Sequence, residues 1–283
     1  MWIEPGKPVS LADLERGVVI SSGNDASVAV AEHLAGTESS FVDVMNQLAA
    51  ELGLNNTVYR NPHGLPHPEH RTTARDLATL SVALINGHPE HYKIYKEQSF
   101  TYNGIKQYNR NSLLRSDATV DGLKTGYTSE AGYGLVASAQ REDMRLVSVV
   151  LGSASKRTRT FENSSLLNYG FRFFQNLRPL SAEVTLVEPR VWKGAAESLH
   201  AGVLESVVLT VPRERTAADI KLKVDEQLEA PFFRGDVIGS VQVVRGGEVL
   251  FETPLLVLED VPSGGFFKRL IDALILWFQN LVG

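Results

Sequence analysis

The chain has 283 residues, 43% hydrophobic and 22% charged, an ordinary composition for a soluble globular protein with room for one large domain and a smaller one. Its net charge of −5, from 28 basic against 33 acidic residues, argues against a nucleic-acid binder, which would present a basic excess on one face. Cysteine is absent, which excludes disulfides and thiolate chemistry and suits an oxidising compartment.

The opening residues, Met1-Trp2-Ile3-Glu4-Pro5-Gly6, have neither the basic region nor the apolar region of a secretory signal. Either the protein is cytoplasmic, or its true start lies upstream. Ser22-Gly23-Asn24 precedes a helical run from Asp25 to Leu34. Ser39 or Ser40 is expected to cap a second helix, with Phe41, Val44, Met45, Leu48, Ala49 and Leu52 on one face and Gly53 as its stop. Thr73, with Asp76 three residues on, starts a third helix over Ala74–Asn86 that Gly87 ends. Asn103-Gly104 between two short β-prone runs is a hairpin signal. A strand at Val120–Thr125 should be followed by two adjacent antiparallel strands, Gly134–Gln140 and Arg145–Leu151. A helix at Thr160–Phe174 closes the domain.

From about Ser181 the texture changes to short β-branched runs at Val184–Val187, Val207–Val211, Ile220–Val224, Val237–Val244 and Val249–Leu258. With Gly246-Gly247 turning one hairpin and no helical periodicity, this reads as a small all-β sandwich or barrel. Val261-Pro262-Ser263-Gly264-Gly265 is a hinge before Phe266–Val282, a strongly amphipathic segment. At 100° per residue its polar residues Lys268, Arg269, Asp272, Gln279 and Asn280 share a narrow arc, and apolar residues cover the rest. That is too polar for a spanning helix and fits one lying in a membrane surface, with Lys268 and Arg269 toward anionic head groups and Asp272 partly offsetting them. The competing reading is a helix docked on its own domain.

Two tripeptides carry the chemistry. Ser22-Gly23-Asn24 stands at a helix start, and Lys124-Thr125-Gly126 ends a strand. Each alone is weak; together, in this order, they match the second and third elements of the penicillin-recognising serine enzymes. Longer stretches add to the match: Val18–Asp25, Leu52–Leu65 with Asn-Pro-His-Gly-Leu, Thr73–Thr79, Tyr102–Asn111, Asp121–Tyr127, Ala131–Ser138 and Tyr169–Phe174. On these residues the chain resembles the low-molecular-mass serine D-alanyl-D-alanine carboxypeptidases over essentially its whole length. A cation and a hydroxyl at Lys124 and Thr125 suit the free carboxylate of a D-Ala-D-Ala peptide. Gly126 leaves the strand edge clear for the substrate backbone.

The resemblance implies an α/β (α+β) penicillin-recognising, β-lactamase-like domain over residues 1–178, incomplete at its N-terminus. A small all-β domain over 179–262 and an amphipathic membrane-anchor helix over 263–283 would follow. It implies that Ser22 relays a proton to the leaving D-alanine and that the Asn24 amide holds the substrate and the catalytic lysine. The Tyr127 backbone N–H would be an oxyanion donor, of a kind worth roughly 3–4 kcal/mol, and Arg159 would help bind the carboxylate. Many relatives have histidine at the position of Tyr127. The expected partners are peptidoglycan pentapeptides, β-lactams and a membrane surface, with no nucleic acid and no cofactor, at the periplasmic face of the cytoplasmic membrane.

One departure is serious. The Ser-x-x-Lys that supplies the family's nucleophile and base should stand well upstream of Ser22, and none does. The one Ser-x-x-Lys present, Ser153-Ala154-Ser155-Lys156, lies after Lys-Thr-Gly and reads as a coincidence. Ser22 has no lysine or histidine near it in sequence to activate it. His63, His67 and His70, with Glu69, raise a metal alternative, but Pro62, Pro66 and Pro68 deny them a helical scaffold and the expectation is no metal.

Overall fold

The computed structural model describes residues 1–214 and 218–282, with side chains through Gln279. The chain divides into two compact units, Met1–Arg172 and Phe173–Gly283. The expected boundary after residue 178 falls inside a strand, Phe174–Leu180.

In the first unit, helix α1 (Leu11–Arg16) is capped by the Ser10 side chain and runs into one turn of π-helix at Gly17–Ser21. Helices α2 (Asn24–Ala35), α3 (Glu38–Glu51) and α4 (Ala74–Gly87) follow, with two short turns, α5 (Pro89–Tyr92) and α6 (Leu113–Ser116). Strands β1 (Ser99–Tyr102) and β2 (Ile105–Tyr108) form the hairpin, turned by Asn103 and Gly104, both at positive φ. A three-stranded antiparallel sheet in the order β3-β4-β5 is built from Val120–Thr128, Gly132–Arg141 and Met144–Ser153, and α7 (Lys156–Phe173) follows it.

Local signals located most of these elements. The α4 cap is Thr73, whose Oγ1 accepts from the Asp76 N–H at 3.1 Å. The Asp76 carboxylate, in a buried residue, accepts from the Thr57 hydroxyl at 2.7 Å and the Asn56 N–H at 2.9 Å, fastening the preceding loop to the helix. Those bonds, the Thr57 hydroxyl first, hold the carboxyl below its ordinary value.

Helix α3 differs from expectation at both its cap and its face. Thr37, not Ser39 or Ser40, is the cap, because its Oγ1 accepts from the Ser40 N–H at 3.1 Å. Val42 and Ala49 are the buried residues, whereas Val44 and Leu48 are about half exposed, at 53% and 49%.

The second unit is β-rich. Strand β6 (Phe174–Leu180) pairs with β8 (Val207–Pro212), and a four-stranded sheet runs β7-β11-β10-β9. The remaining strands are β7 (Ala201–Gly202), β9 (Asp219–Val224), β10 (Val237–Arg245) and β11 (Glu248–Val257). Its core is aliphatic, with Leu199, Ile238, Val241, Val243, Leu255 and Val257 fully buried. The run Val184–Val187 forms no strand; Val187 makes a single bridge to Ala201.

Helix α8 (Phe266–Val282) corrects one expectation. Asp272 does not face outward with the other polar residues. It is 5% exposed and accepts from the Lys193 N–H at 2.7 Å, while Leu276, one turn on, is 7% exposed. The segment before the helix is bridged to the same stretch, Gly194 to Ser263. The helix therefore docks by an edge of its polar arc and turns its apolar arc outward. Phe266, Phe267, Leu274, Trp277 and Phe278 are all more than half exposed. The side chains of Asn280, Leu281 and Val282 lie outside the described residues.

A buried carboxylate bonded to a backbone N–H is costly to remove, at about 1–3 kcal/mol. Asp272→Ala should free α8 while the β core stays folded. Hydrogen exchange checks this: amides of 266–279 should exchange faster and those of β10 and β11 should not.

Candidate active site

The helical part of the first unit delivers one half of the site. The π turn ends at Ser22, whose φ of 55° and ψ of 48° are left-handed, an uncommon conformation for serine that marks a held position. Gly23 follows, and a Cβ there would lie 2.9 Å from the Asp25 carboxylate, which would have to shift. Asn24 opens α2.

The sheet delivers the other half. β3 is an edge strand, and its final residues Lys124, Thr125, Gly126, Tyr127 and Thr128 line a cleft of about 1030 Å³ together with Ser22 and Asn24. A Cβ at Gly126 would meet nothing within 4 Å, so the strand edge is open there. The Lys124 Nζ donates to Ser22 Oγ, across 102 residues of sequence, and to the Thr125 carbonyl at 2.9 Å. Burial, then the nearby Arg110 and Arg159 cations, lower the Lys124 pKa to about 8.

Arg110 is a cleft residue that sequence reasoning did not single out. It lines the cleft on a turn held by two buried neighbours. Asn109 Nδ2 donates to the Glu97 carbonyl at 3.1 Å, and Asn111 Nδ2 donates to the Gly122 carbonyl of β3 at 2.9 Å. The Asn-Arg-Asn run was the available signal, since paired asparagines around one arginine suit a fixed turn. Tyr133 was also missed; it stacks on Tyr127 with centroids 4.2 Å apart.

Arg159 is 5% exposed, and its Nη1 donates to the Gly126 and Gly134 carbonyls, each at 3.0 Å. The arginine is in the cleft lining, but these two bonds are made to the protein's own backbone.

Ser153 is buried and gives its hydroxyl to Glu162 at 2.6 Å, so Ser153-x-x-Lys156 is not a nucleophile and its base. His63 and His70 line the cleft, His67 does not, and no metal-holding cluster occurs among the described residues.

A Lys-Thr-Gly strand edge facing a Ser-x-Asn turn at a helix start defines the class of penicillin-recognising serine enzymes. Comparison with known proteins narrows the class. Residues 1–155 match the family described as D-alanyl-D-alanine carboxypeptidase, and residues 174–263 match the C-terminal domain of penicillin-binding protein 5. The chain is 45% identical to D-alanyl-D-alanine carboxypeptidase DacC of Escherichia coli, covering 100% of this chain and 72% of that protein. It superposes on penicillin binding protein 5 of Haemophilus influenzae with a TM-score of 0.84 at 41% identity, over 93% of this chain and 78% of that one. Penicillin-Binding Protein D2 of Listeria monocytogenes, solved in a cefotaxime-bound form, matches 58% of this chain and 67% of its own at 34% identity, with a TM-score of 0.54. The chain belongs to the serine D-alanyl-D-alanine carboxypeptidase family.

The displaced lysine has a thermodynamic signature. With a folded value near 8 and an ordinary value of 10.5, Lys124 loses its proton earlier in the folded protein than in the unfolded one. The unfolded state then holds the extra proton between those values, so this group makes stability rise with pH across that window. Lys124→Met should remove that part of the rise, measured as the difference in melting temperature between the two proteins from pH 7.5 to 10.5.

Proposed function

We propose that this chain forms the substrate-recognition wall of a carboxypeptidase that removes the terminal D-alanine of peptidoglycan pentapeptides. The observation that carries the reading is the Lys124 ammonium on Ser22 Oγ, beside Thr125 and the open Gly126 on an unpaired strand edge. A peptide ending in a carboxylate can lie along that edge as an added strand, its negative charge toward Lys124, Arg110 and the Thr125 hydroxyl. Ser22, its hydroxyl already bonded to the lysine, is placed to pass a proton to the leaving D-alanine. The Tyr127 N–H serves as an oxyanion donor. β-Lactams, whose carboxylate and acyl group mimic such a peptide, would occupy the same edge. The cefotaxime-bound form of the Listeria relative agrees with this.

In this reading the acylating serine comes from outside these 283 residues. Ser153 is committed to Glu162, and Ser22 holds the relay position. A chain that spans 72% of a curated relative leaves room for such a segment. The Lys124 contact supports one rival, in which Ser22 itself is the nucleophile. These residues alone should give no denaturation-resistant band with a fluorescent penicillin. Adding an upstream Ser-x-x-Lys segment should produce one, and Lys124→Ala in that form should impair its appearance far more than it impairs folding, judged by acylation rate against melting temperature. A band on the 283-residue chain that maps to Ser22 would establish the rival. If no band forms even with the added segment, the cleft is a non-catalytic remnant.

We further propose that α8 holds the protein on a membrane surface, at the periplasmic face of the cytoplasmic membrane. No helix among the described residues is long and apolar enough to cross a membrane. What supports a surface anchor is that the helix docks through Asp272 and Leu276 and leaves its large apolar side chains in solvent. Each is worth roughly 1.5–3 kcal/mol when buried. Phe266 and Phe267 at one end and Trp277 and Phe278 at the other suit the interfacial zone. Leu274→Glu with Trp277→Glu should release the protein from anionic vesicles in a sedimentation assay, and a chain ending at Ser263 should not sediment at all. Undiminished sedimentation of the shortened chain would place the anchor elsewhere.

A further inference from the structure

Arg159 has the geometry of a residue that aims a neighbouring peptide. It stands in the first turn of α7, almost wholly buried, with Nη1 shared between the Gly126 and Gly134 carbonyls at 3.0 Å each. Gly126 and Gly134 are register partners on β3 and β4, so the arginine closes the ends of the two strands together. Its guanidinium carbon lies 5.6 Å from the centre of the Tyr133 ring, and Tyr133 stacks on Tyr127. Two separate contacts therefore run from Arg159 to residue 127, one through the backbone and one through a cation–aromatic–aromatic stack. Its Nε is buried with no partner among the described residues, a cost that simple space-filling by an apolar side chain would avoid.

The consequence follows from peptide geometry. The carbonyl of Gly126 and the N–H of Tyr127 belong to one planar trans peptide and point in opposite directions. Successive residues of an edge strand alternate between facing the partner strand and facing outward. The Thr125 carbonyl meets the Lys124 ammonium in the cleft, whereas the Gly126 carbonyl turns to Arg159. With that carbonyl held, the Tyr127 N–H is held facing the unpaired edge. A cation on the carbonyl oxygen also draws electron density through the peptide and makes its N–H a stronger donor.

We propose that Arg159 is a positioning residue that orients and polarises the Gly126–Tyr127 peptide so that the Tyr127 N–H can stabilise an oxyanion. This rests on the reading of that N–H as an oxyanion donor, and it gives Arg159 a different task from direct binding of the substrate carboxylate.

The test compares Arg159→Gln and Arg159→Lys with the unaltered protein in two ways. In the chain itself, the amide nitrogen of Tyr127 should shift more than any other strand amide in Arg159→Gln, and the lysine variant should recover part of the shift. In a form extended upstream so that it acylates, Arg159→Gln should slow acylation by roughly tenfold or more. The loss should be equal for a peptide with a free C-terminal carboxylate and for its C-terminal amide. A loss confined to the free acid would make Arg159 a carboxylate binder and overturn the proposal. Shifts spread evenly over β3, β4 and β5 with a lowered melting temperature and no lysine recovery would reduce it to a structural brace. An unmoved Tyr127 amide would overturn it too. If the extended form does not acylate, the carboxypeptidase reading fails by itself, and the Tyr127 amide alone decides whether Arg159 aims the peptide.

Discussion

The ammonium of Lys124 joins the two halves of the first unit, and the site exists because it does. One hydrogen bond goes to Ser22 at the end of a helical segment, and another to the Thr125 carbonyl on the edge strand. Both partners are held in place on their own side. Ser22 is fixed by a π turn and a left-handed backbone, and β3 is fixed by its pairing with β4 and by Asn111 on the Gly122 carbonyl. A flexible, strongly hydrated cation is thereby kept in a half-buried cleft beside two arginines. That environment disfavours its charge, and its lowered proton affinity is the result. An anionic group entering the cleft would relieve the same repulsion, so the clustered cations favour a ligand of opposite sign.

The second unit is organised around an opposite inversion. An amphipathic helix ordinarily buries its apolar face and offers polar residues to water. Here Asp272 is turned inward onto a backbone N–H, and Leu276 one turn on is buried with it. The contact therefore leaves most of the helix's large apolar side chains exposed. A face carrying several aromatic and aliphatic side chains is left in solvent, which carries a solvation cost.

How far the sequence could be read depended on the range of the interactions. The Thr73 cap, the Asn103-Gly104 hairpin and the Gly246-Gly247 turn are set by neighbours a few residues away, and each is where the residue pattern put it. The run Phe174–Leu180 carries no such pattern. It becomes a strand because Val207–Pro212 lies beside it, a pairing that spans some thirty residues and leaves no local mark. Conversely Val184–Val187 has strand-like residues but no full-length partner, and it stays a bridged loop. On α3 the periodicity did not decide which residues would be covered: Val42, outside the named face, is buried, while Val44 and Leu48 stay about half exposed.

The same division holds for the site. The sequence by itself determined which chemistry is present: a hydroxyl and an amide at a helix start, a lysine, a hydroxyl and a bare glycine at a strand end, and an amphipathic terminal segment. These are properties of side chains and short spacings, and they survive in a string of letters. Only the tertiary structure decided that Lys124 reaches Ser22, that Arg110 joins them, that Arg159 turns to the backbone carbonyls of Gly126 and Gly134, and that Asp272 faces inward. Each of those facts sets a charge against a group from a distant part of the chain. Where a charge comes to rest depends on which donors, acceptors and other charges the fold has brought within a few ångströms, and that is fixed by packing, not by sequence order.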